Sequence, residues 1–342
     1  MSERWVHATP AEWSIRYIRE GDEEGILDLL QAAFGRWPAV EISVPPLDHL
    51  RWKLHNHPLA YSYHVVAEAG ARIIGVRIMF VYRAKLGDET CLIYYGMDNA
   101  VHPEFHNRGV MTAMRSFRLD DFRRQFSFKL GSETGNPALR RIKDRAGERL
   151  FGAEMRTFVQ SIEPGTAGEA SPAPDAGCVL REVSSFDGWL TELYEQAARP
   201  FQLIIVRDEA LLRWRYGDAR AGRFVVKVAE RDGRALGYVV LRVSHGRGYL
   251  ADLLTVPDRP DVVRSLVGDA LRTFREANVA SVECLLPANH PYVDVLGALG
   301  FRARRRRPHF SFIPMSLAEE QLALLGDPNT TTHLVLGDFD LV

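Results

Sequence analysis

Two stretches of this chain carry one pattern. Leu50-Arg51-Trp52-Lys53-Leu54 returns 162 residues later as Leu212-Arg213-Trp214-Arg215-Tyr216. Ala67-Glu68 and Gly75 return at that spacing as Ala229-Glu230 and Gly237, and Arg19-Glu20 as Arg181-Glu182. Farther on, Asp98 and Pro103 return as Asp252 and Pro257 after 154 residues, and Asn136 and Gly147 as Asn289 and Gly300 after 153. A spacing that holds and then shrinks slightly is what two copies of one fold with loop deletions leave behind. Residues 163–177 at the seam hold three prolines, three glycines and no large apolar side chain. Such a composition suits a linker and cannot bury a face. The expected division is therefore 1–160 for a first domain, 161–178 for a linker and 179–342 for a second domain.

At 342 residues there is room for two ordinary domains. The 46% hydrophobic and 25% charged fractions suit a soluble globular protein. The net charge of −1 argues against a general nucleic-acid or membrane binder. No stretch approaches the roughly 18 apolar residues of a membrane span, and no secretory signal is read at the start. Cys91, Cys178 and Cys284 lie far apart without ligand spacing, which points to a reducing, cytoplasmic setting and to no metal site.

Periodicity predicts a helix over 22–34, strands over 62–68 and 72–83 joined as a hairpin, a strand over 90–101, a helix over 110–125, a strand over 126–131 and a helix over 137–145. The second copy repeats the order: helix 186–198, strands 223–230, 235–243 and 248–256, helix 261–277, strand 280–286 and helix 291–299. Strands are further expected over 308–313 and 332–337. The fold class is mixed α/β (α+β), each domain a central, mainly antiparallel mixed sheet flanked by helices.

The informative junction is Val101-His102-Pro103-Glu104-Phe105-His106-Asn107-Arg108-Gly109-Val110-Met111-Thr112. A strand ends, a loop turns and a helix begins. Outward backbone N–H groups and the helix dipole there suit a pyrophosphate. Gly109 permits close approach, Arg108 adds charge and Thr112 a hydroxyl. The stretch resembles the acyl-CoA-binding motif of the GNAT superfamily, Val-x-Pro-x-x-Arg/Gln-x-x-Gly-x-Gly/Ala. Arg108 and Gly109 match, His106 stands for Arg or Gln, and Met111 for Gly or Ala. Gly75, Asp98, Asn136 and Gly147 fall around it in the order the superfamily shows. The likeness covers most of 15–155 and, more weakly, 179–305, as in two-domain GNAT proteins with one degenerate half. In the second copy the matching Val256-Pro257-Asp258-Arg259-Pro260-Asp261 lacks the glycine, loses an N–H at Pro260 and adds repelling acids.

The resemblance implies acyl-CoA, most simply acetyl-CoA, as cosubstrate, held by Asn99, Ala100, Val101, His106, Asn107, Arg108, Gly109, Val110, Met111, Thr112 and Asn136. It implies direct attack by a small-molecule amine in a ternary complex. A lysine-like amine is only about 0.04% neutral at pH 7, so a base or a lowered amine pKa is required. Asp98 is the candidate base, although Asp252 at the matching place also fits a structural role for both. The tyrosine that commonly serves as general acid is missing from 136–142, and Glu133 and Tyr95 are weaker candidates. A thiol pKa of about 8.5 lets the thiolate leave unprotonated. Trp37 and Tyr95 are candidate substrate contacts. His49, His55, His57 and His64 lack metal-ligand spacing. Trp52 and Trp214 read as core or interface residues, the run at Arg302 and 304–307 as a solvated edge, and the tail at 337–340 as solvent-exposed. An acyl-CoA-dependent N-acyltransferase is the leading expectation, a non-catalytic acyl-CoA-binding or scaffold protein the alternative. No nucleic acid or membrane partner is expected, and a homodimer is compatible with the reading.

Overall fold

The computed structural model describes residues 13–59, 63–132, 147–162, 177–305, 308 and 310–339. The first half runs β1 (Ser14–Tyr17), α1 (Glu23–Phe34), α2 (Pro46–His55), β2 (Val65–Ala69), β3 (Arg72–Leu86), β4 (Glu89–Val101), α3 (Val110–Ser116), α4 (Leu119–Gln125), β5 (Phe128–Ser132), β6 (Arg149–Leu150) and β7 (Met155–Ser161). The second runs β8 (Val179–Val183), α5 (Leu190–Ala197), β9 (Leu203–Ile205), α6 (Glu209–Leu212), β10 (Val225–Arg231), β11 (Arg234–Ser244), β12 (Arg247–Thr255), α7 (Pro260–Glu276), β13 (Ser281–Pro287), α8 (Val293–Ala298), β14 (Arg302–Ala303), β15 (Phe310–Pro314), α9 (Glu319–Gly326) and β16 (Thr332–His333).

Local chemistry explains most of these elements. The α1 stripe of Ile26, Leu29 and Leu30 is buried, and Glu23 and Glu24 face the positive end of its dipole. The β2–β3 hairpin turns at Gly70, whose φ of 60° suits a residue without Cβ. The expected helix over 110–125 is two helices instead. Phe117 leaves helical geometry to set its ring edge-on to Tyr17 at 5.2 Å, and Arg118 turns the chain at φ 54°. Tertiary packing overrides the periodic pattern here. Residues 137–145 and the proline-rich seam lie outside the described residues.

The duplication is visible in strand register. Ala67 pairs with Gly75, and Ala229 with Gly237; a bulge follows in both hairpins. Ile15 pairs with Ala67 and Leu180 with Ala229, so the structural counterpart of Arg181 is Arg16, three residues before Arg19. Arg16 binds Glu68 and Arg181 binds Glu230, repeating one ion pair.

Among the described residues the first sheet runs β1-β2-β3-β4-β5-β15-β6, with β9 on β3 and β16 on β9. The second runs β8-β10-β11-β12-β13-β7-β14. Each sheet thus has, between its parallel strand and its edge, a strand from the other half: β15 pairs with β5 and β6, and β7 with β13 and β14. The seam divides the repeats along the chain but not the sheets.

One core packs between the two sheets around α1, α2 and α5, joining Leu50, Trp52 and Phe80 to Leu190, Trp214 and Tyr238. A second core lies under α7 and α8, and a third under α3 and α4. Trp52 and Trp214, repeat counterparts, stack at 4.7 Å, and the Trp52 indole donates to the Trp214 carbonyl at 3.2 Å. Repeat mates that touch each other lie near the local two-fold axis. Among the described residues no helix is long and apolar enough to cross a membrane.

Candidate active site

The parallel strands β4 and β5 pair from Ile93–Phe128 to Tyr95–Leu130. Beyond that β4 continues to Val101, while β5 turns to β15 through Gly131 and Ser132. The strands part like a fork. The β3–β4 ladder is interrupted inside it: Ile78 pairs with Met97 and Val76 with Ala100, leaving Asp98 and Asn99 opposite Arg77. Asp98 takes φ 45° at this bulge, a conformation aspartate tolerates better than most residues.

The bulge aims the Asp98 carboxylate at α2, where Oδ2 lies 2.7 Å from Lys53 Nζ. Lys53 is 1% exposed, and its ammonium sits 5.4 Å over the Trp37 ring. The buried Oδ1 of Asn99 has no hydrogen-bond partner among the described residues. A buried carbonyl of this kind calls for a donor. An amide N–H of a pantetheine arm fits that requirement.

At the mouth of the fork, His102 caps a 3-10 turn over Pro103–Phe105, its ring nitrogen accepting from Glu104 N–H at 3.3 Å. Asn107 and Gly109 take φ 62° and 78°, and a Cβ on Gly109 would meet open space. Gly109 caps α3. Arg108 lies over the Phe105 ring at 5.1 Å, and the His106 imidazole reaches the Val101 carbonyl at 2.9 Å. Gly75 earns its place differently. A Cβ there would stand 2.8 Å from the Met114 terminal methyl, so its absence lets α3 settle on β3. Val110 and Met114 are buried on that face, whereas Met111 is half-buried and Thr112 exposed.

The second sheet has the same fork, closed. Strands β12 and β13 pair only as far as Tyr249–Glu283. Tyr292 fills the gap, its hydroxyl accepting from Thr255 N–H at 2.9 Å. Thr255 pairs with Gly237 as Val101 pairs with Gly75, so this N–H corresponds to one that opens onto the first fork. Burial pushes the Tyr292 pKa up to about 12. Asp252 is 1% exposed and accepts from Tyr238 at 3.0 Å, with Arg207 at 3.5 Å. Burial, the largest single influence, would raise its pKa; the Arg207 charge, His333 and the Tyr238 hydroxyl together outweigh that and hold it low. The loop arginine, Arg259, is bound by Asp261 at 2.5 Å.

The described residues bring Asp98, Asn99, Ala100 and Val101 to the fork and His106 to Thr112 to its mouth. Glu133 and Asn136 lie outside them. Trp37 is buried beside His49, and Tyr95 is buried edge-on to Phe339 at 5.5 Å. The tail expected in solvent is buried through Gly337, Asp338 and Phe339. Asp338 pairs with Arg207 at 2.8 Å, so a buried cation, invisible in a terminal sequence, draws the tail in. His57 is packed against Phe80 and Trp214, and burial pulls its pKa down to about 3. Among the described residues no His, Cys, Asp or Glu cluster is placed to hold a metal. Lys53 escaped the sequence reading, although its repeat partner Arg215 is also cationic and buried.

Residues 14–133 match the acetyltransferase (GNAT) domain family. Those residues are similar to that domain family, and the match lies wholly in the first half. The chain as a whole has the tandem GNAT fold. It superposes on a conserved protein from Enterococcus faecalis V583 described as a probable N-acyltransferase, with 13% identity over 89% of this chain and 73% of that one and a TM-score of 0.66. A tandem GNAT protein from the clavulanic acid biosynthesis pathway gives 16% identity, 90% and 100% coverage and a TM-score of 0.59. Saccharomyces cerevisiae N-myristoyltransferase, solved with bound myristoyl-CoA and inhibitors, gives 13%, 90% and 81%, and 0.62. No curated protein matches in sequence. The GNAT match places the bulge and loop described above inside the family domain.

Proposed function

We propose that this tandem GNAT protein is an acyl-CoA-dependent N-acyltransferase acting on a small amine-bearing molecule. The observation that carries the reading is the asymmetry between the forks among the described residues: the first is unplugged, bears an orphaned Asn99 carbonyl and ends at a glycine-capped loop, whereas Tyr292 stoppers the second. Backbone N–H groups of the His106–Thr112 stretch cradle the pyrophosphate. Asn99, Ala100 and Val101 align the pantetheine arm along the unpaired edge of β4, and a strand N–H polarises the thioester carbonyl.

Asp98 takes the ammonium proton of the acceptor, directly or through water, while Lys53 holds the carboxylate in place. The freed amine forms the C–N bond as the C–S bond breaks, and the nitrogen releases its second proton to solvent. The thiolate leaves and takes a proton from solvent. A non-catalytic acyl-CoA-binding protein is the second reading, favoured by the Lys53 ammonium, which already engages an Asp98 oxygen at 2.7 Å.

Titration calorimetry with acetyl-CoA and a CoA-release assay over an amine panel test both. Saturable binding with turnover of at least one amine is expected. Binding without any turnover favours the second reading. Gly109→Asp should abolish binding with the fold retained, because it sets a negative charge and a strained φ where phosphate would approach; wild-type affinity in that variant removes the loop from the site.

A further inference from the structure

Gly96 lies one residue past the last β4–β5 pair, in the crotch of the open fork. A Cβ there would stand 3.5 Å from Lys129 Cε and 3.8 Å from Nζ, so the lysine stem lies across the space a side chain would fill. On the α3 face beside it is a cavity of about 300 Å3, lined by Arg77, Arg115, Arg123, Lys129, Tyr94 and Thr112 among others. None of the described lining residues is a carboxylate.

Arg77 is 6% exposed, and its guanidinium donates to the Met114 carbonyl at 2.7 Å and faces the Met79 sulfur at 3.7 Å. Burial pulls its pKa below the usual value; Tyr94 offsets part of this and the Arg115 charge adds to it. Arg115, half-buried, is lowered by burial as well, with Tyr94 and Glu148 opposing. Neither guanidinium is within ion-pair distance of a carboxylate among the described residues. Like charges buried together are costly unless an anion joins them.

We propose that this cavity is an acyl-group subsite that takes a short dicarboxylic acyl chain of the succinyl class. The proposal rests on the acyl-CoA reading above. The thioester carbonyl would lie at the fork, and the distal carboxylate would reach Arg77, Arg115 and Lys129. A cationic lining disfavours a long apolar chain and favours one that ends in a carboxylate. In the transfer the acceptor nitrogen gains the acyl carbon, the C–S bond breaks, the amine proton passes to the base and the departing thiolate is protonated from solvent. The distal carboxylate is unchanged, so a cationic amine becomes an anionic amide.

Calorimetry on the full chain with succinyl-CoA, acetyl-CoA, CoA and 3′-dephospho-CoA tests it. Succinyl-CoA should bind at least tenfold more tightly than acetyl-CoA, the discrimination expected of charge-assisted hydrogen bonds in a shielded site. Arg115→Gln should weaken succinyl-CoA about tenfold more than acetyl-CoA, and Lys129→Met should do the same should the arginine variant fold poorly. Equal binding of the two thioesters, or equal losses in both variants, overturns the subsite alone. Selective loss with 3′-dephospho-CoA and no acyl preference assigns the cations to the carrier's phosphate and also overturns it. Failure of every CoA compound to bind overturns the acyl-CoA reading and the subsite together.

Discussion

Lys53 and Asp98 share one ion pair, and that pairing makes a simple substitution ambiguous. Asp98→Asn keeps the backbone, since asparagine also tolerates the positive φ of the bulge. It withdraws a 2.7 Å partner from an ammonium that is 1% exposed. Breaking a buried pair costs about 3–5 kcal/mol, and the cost here falls at or below that because the Asp98 side chain keeps 14% exposure. A drop in turnover from Asp98→Asn could therefore reflect lost stability as well as lost chemistry. The Lys53→Met/Asp98→Asn double variant separates them. Urea unfolding should show most of the lost stability regained, while CoA release stays low. Turnover that recovers with stability removes Asp98 from the chemistry and leaves it a structural residue, the role Asp252 has in the other half.

At the scale of elements, the two forks are one device in two states. The N–H of Thr255 is satisfied by Tyr292, whereas among the described residues the equivalent edge of β4 has no strand partner past Tyr95. Tyr292→Phe removes the hydroxyl that accepts from that N–H and from the Thr255 hydroxyl at 3.1 Å. Leaving a buried donor unmet costs about 1–3 kcal/mol. The expected outcome is a lower urea midpoint with unchanged acyl-CoA binding; gain of a second CoA equivalent would mean that the plug alone silences the second half. Much of this was legible in the sequence. The strands flanking the loop, the glycine turn and the aspartate at the bulge carry local signals: turn residues, alternation and repeat spacing. The break at Phe117–Arg118 was not legible, because a contact with Tyr17 decides it. Nor was the burial of Trp37 and of the tail, since the partners Lys53 and Arg207 come from distant segments. The register at Arg19 misled because a local Arg-Glu match outweighed the true counterpart, Arg16, whose partner Glu68 lies on the neighbouring strand.

For the whole molecule, the exchange of β7 and β15 ties the halves more firmly than an interdomain contact would. Each sheet is completed by an inner strand from the other repeat, and the core between the sheets draws on both repeats around the Trp52–Trp214 stack. A symmetric exchange about a local two-fold is also the form a strand-swapped dimer of identical chains would take, and joining two such chains preserves it. The open fork depends on this exchange, because β15 from the second half pairs with β5 and draws it from β4. Its companion half therefore shapes the first fork. A specific protease site placed within 163–176 tests the claim. After cleavage the fragments should co-elute in gel filtration and unfold in urea as one cooperative transition followed by tryptophan fluorescence, since releasing either fragment strips an inner strand from both sheets. Fragments that part in native buffer, or two separate transitions, would show that each repeat closes its own sheet and that the second half is dispensable to the fork.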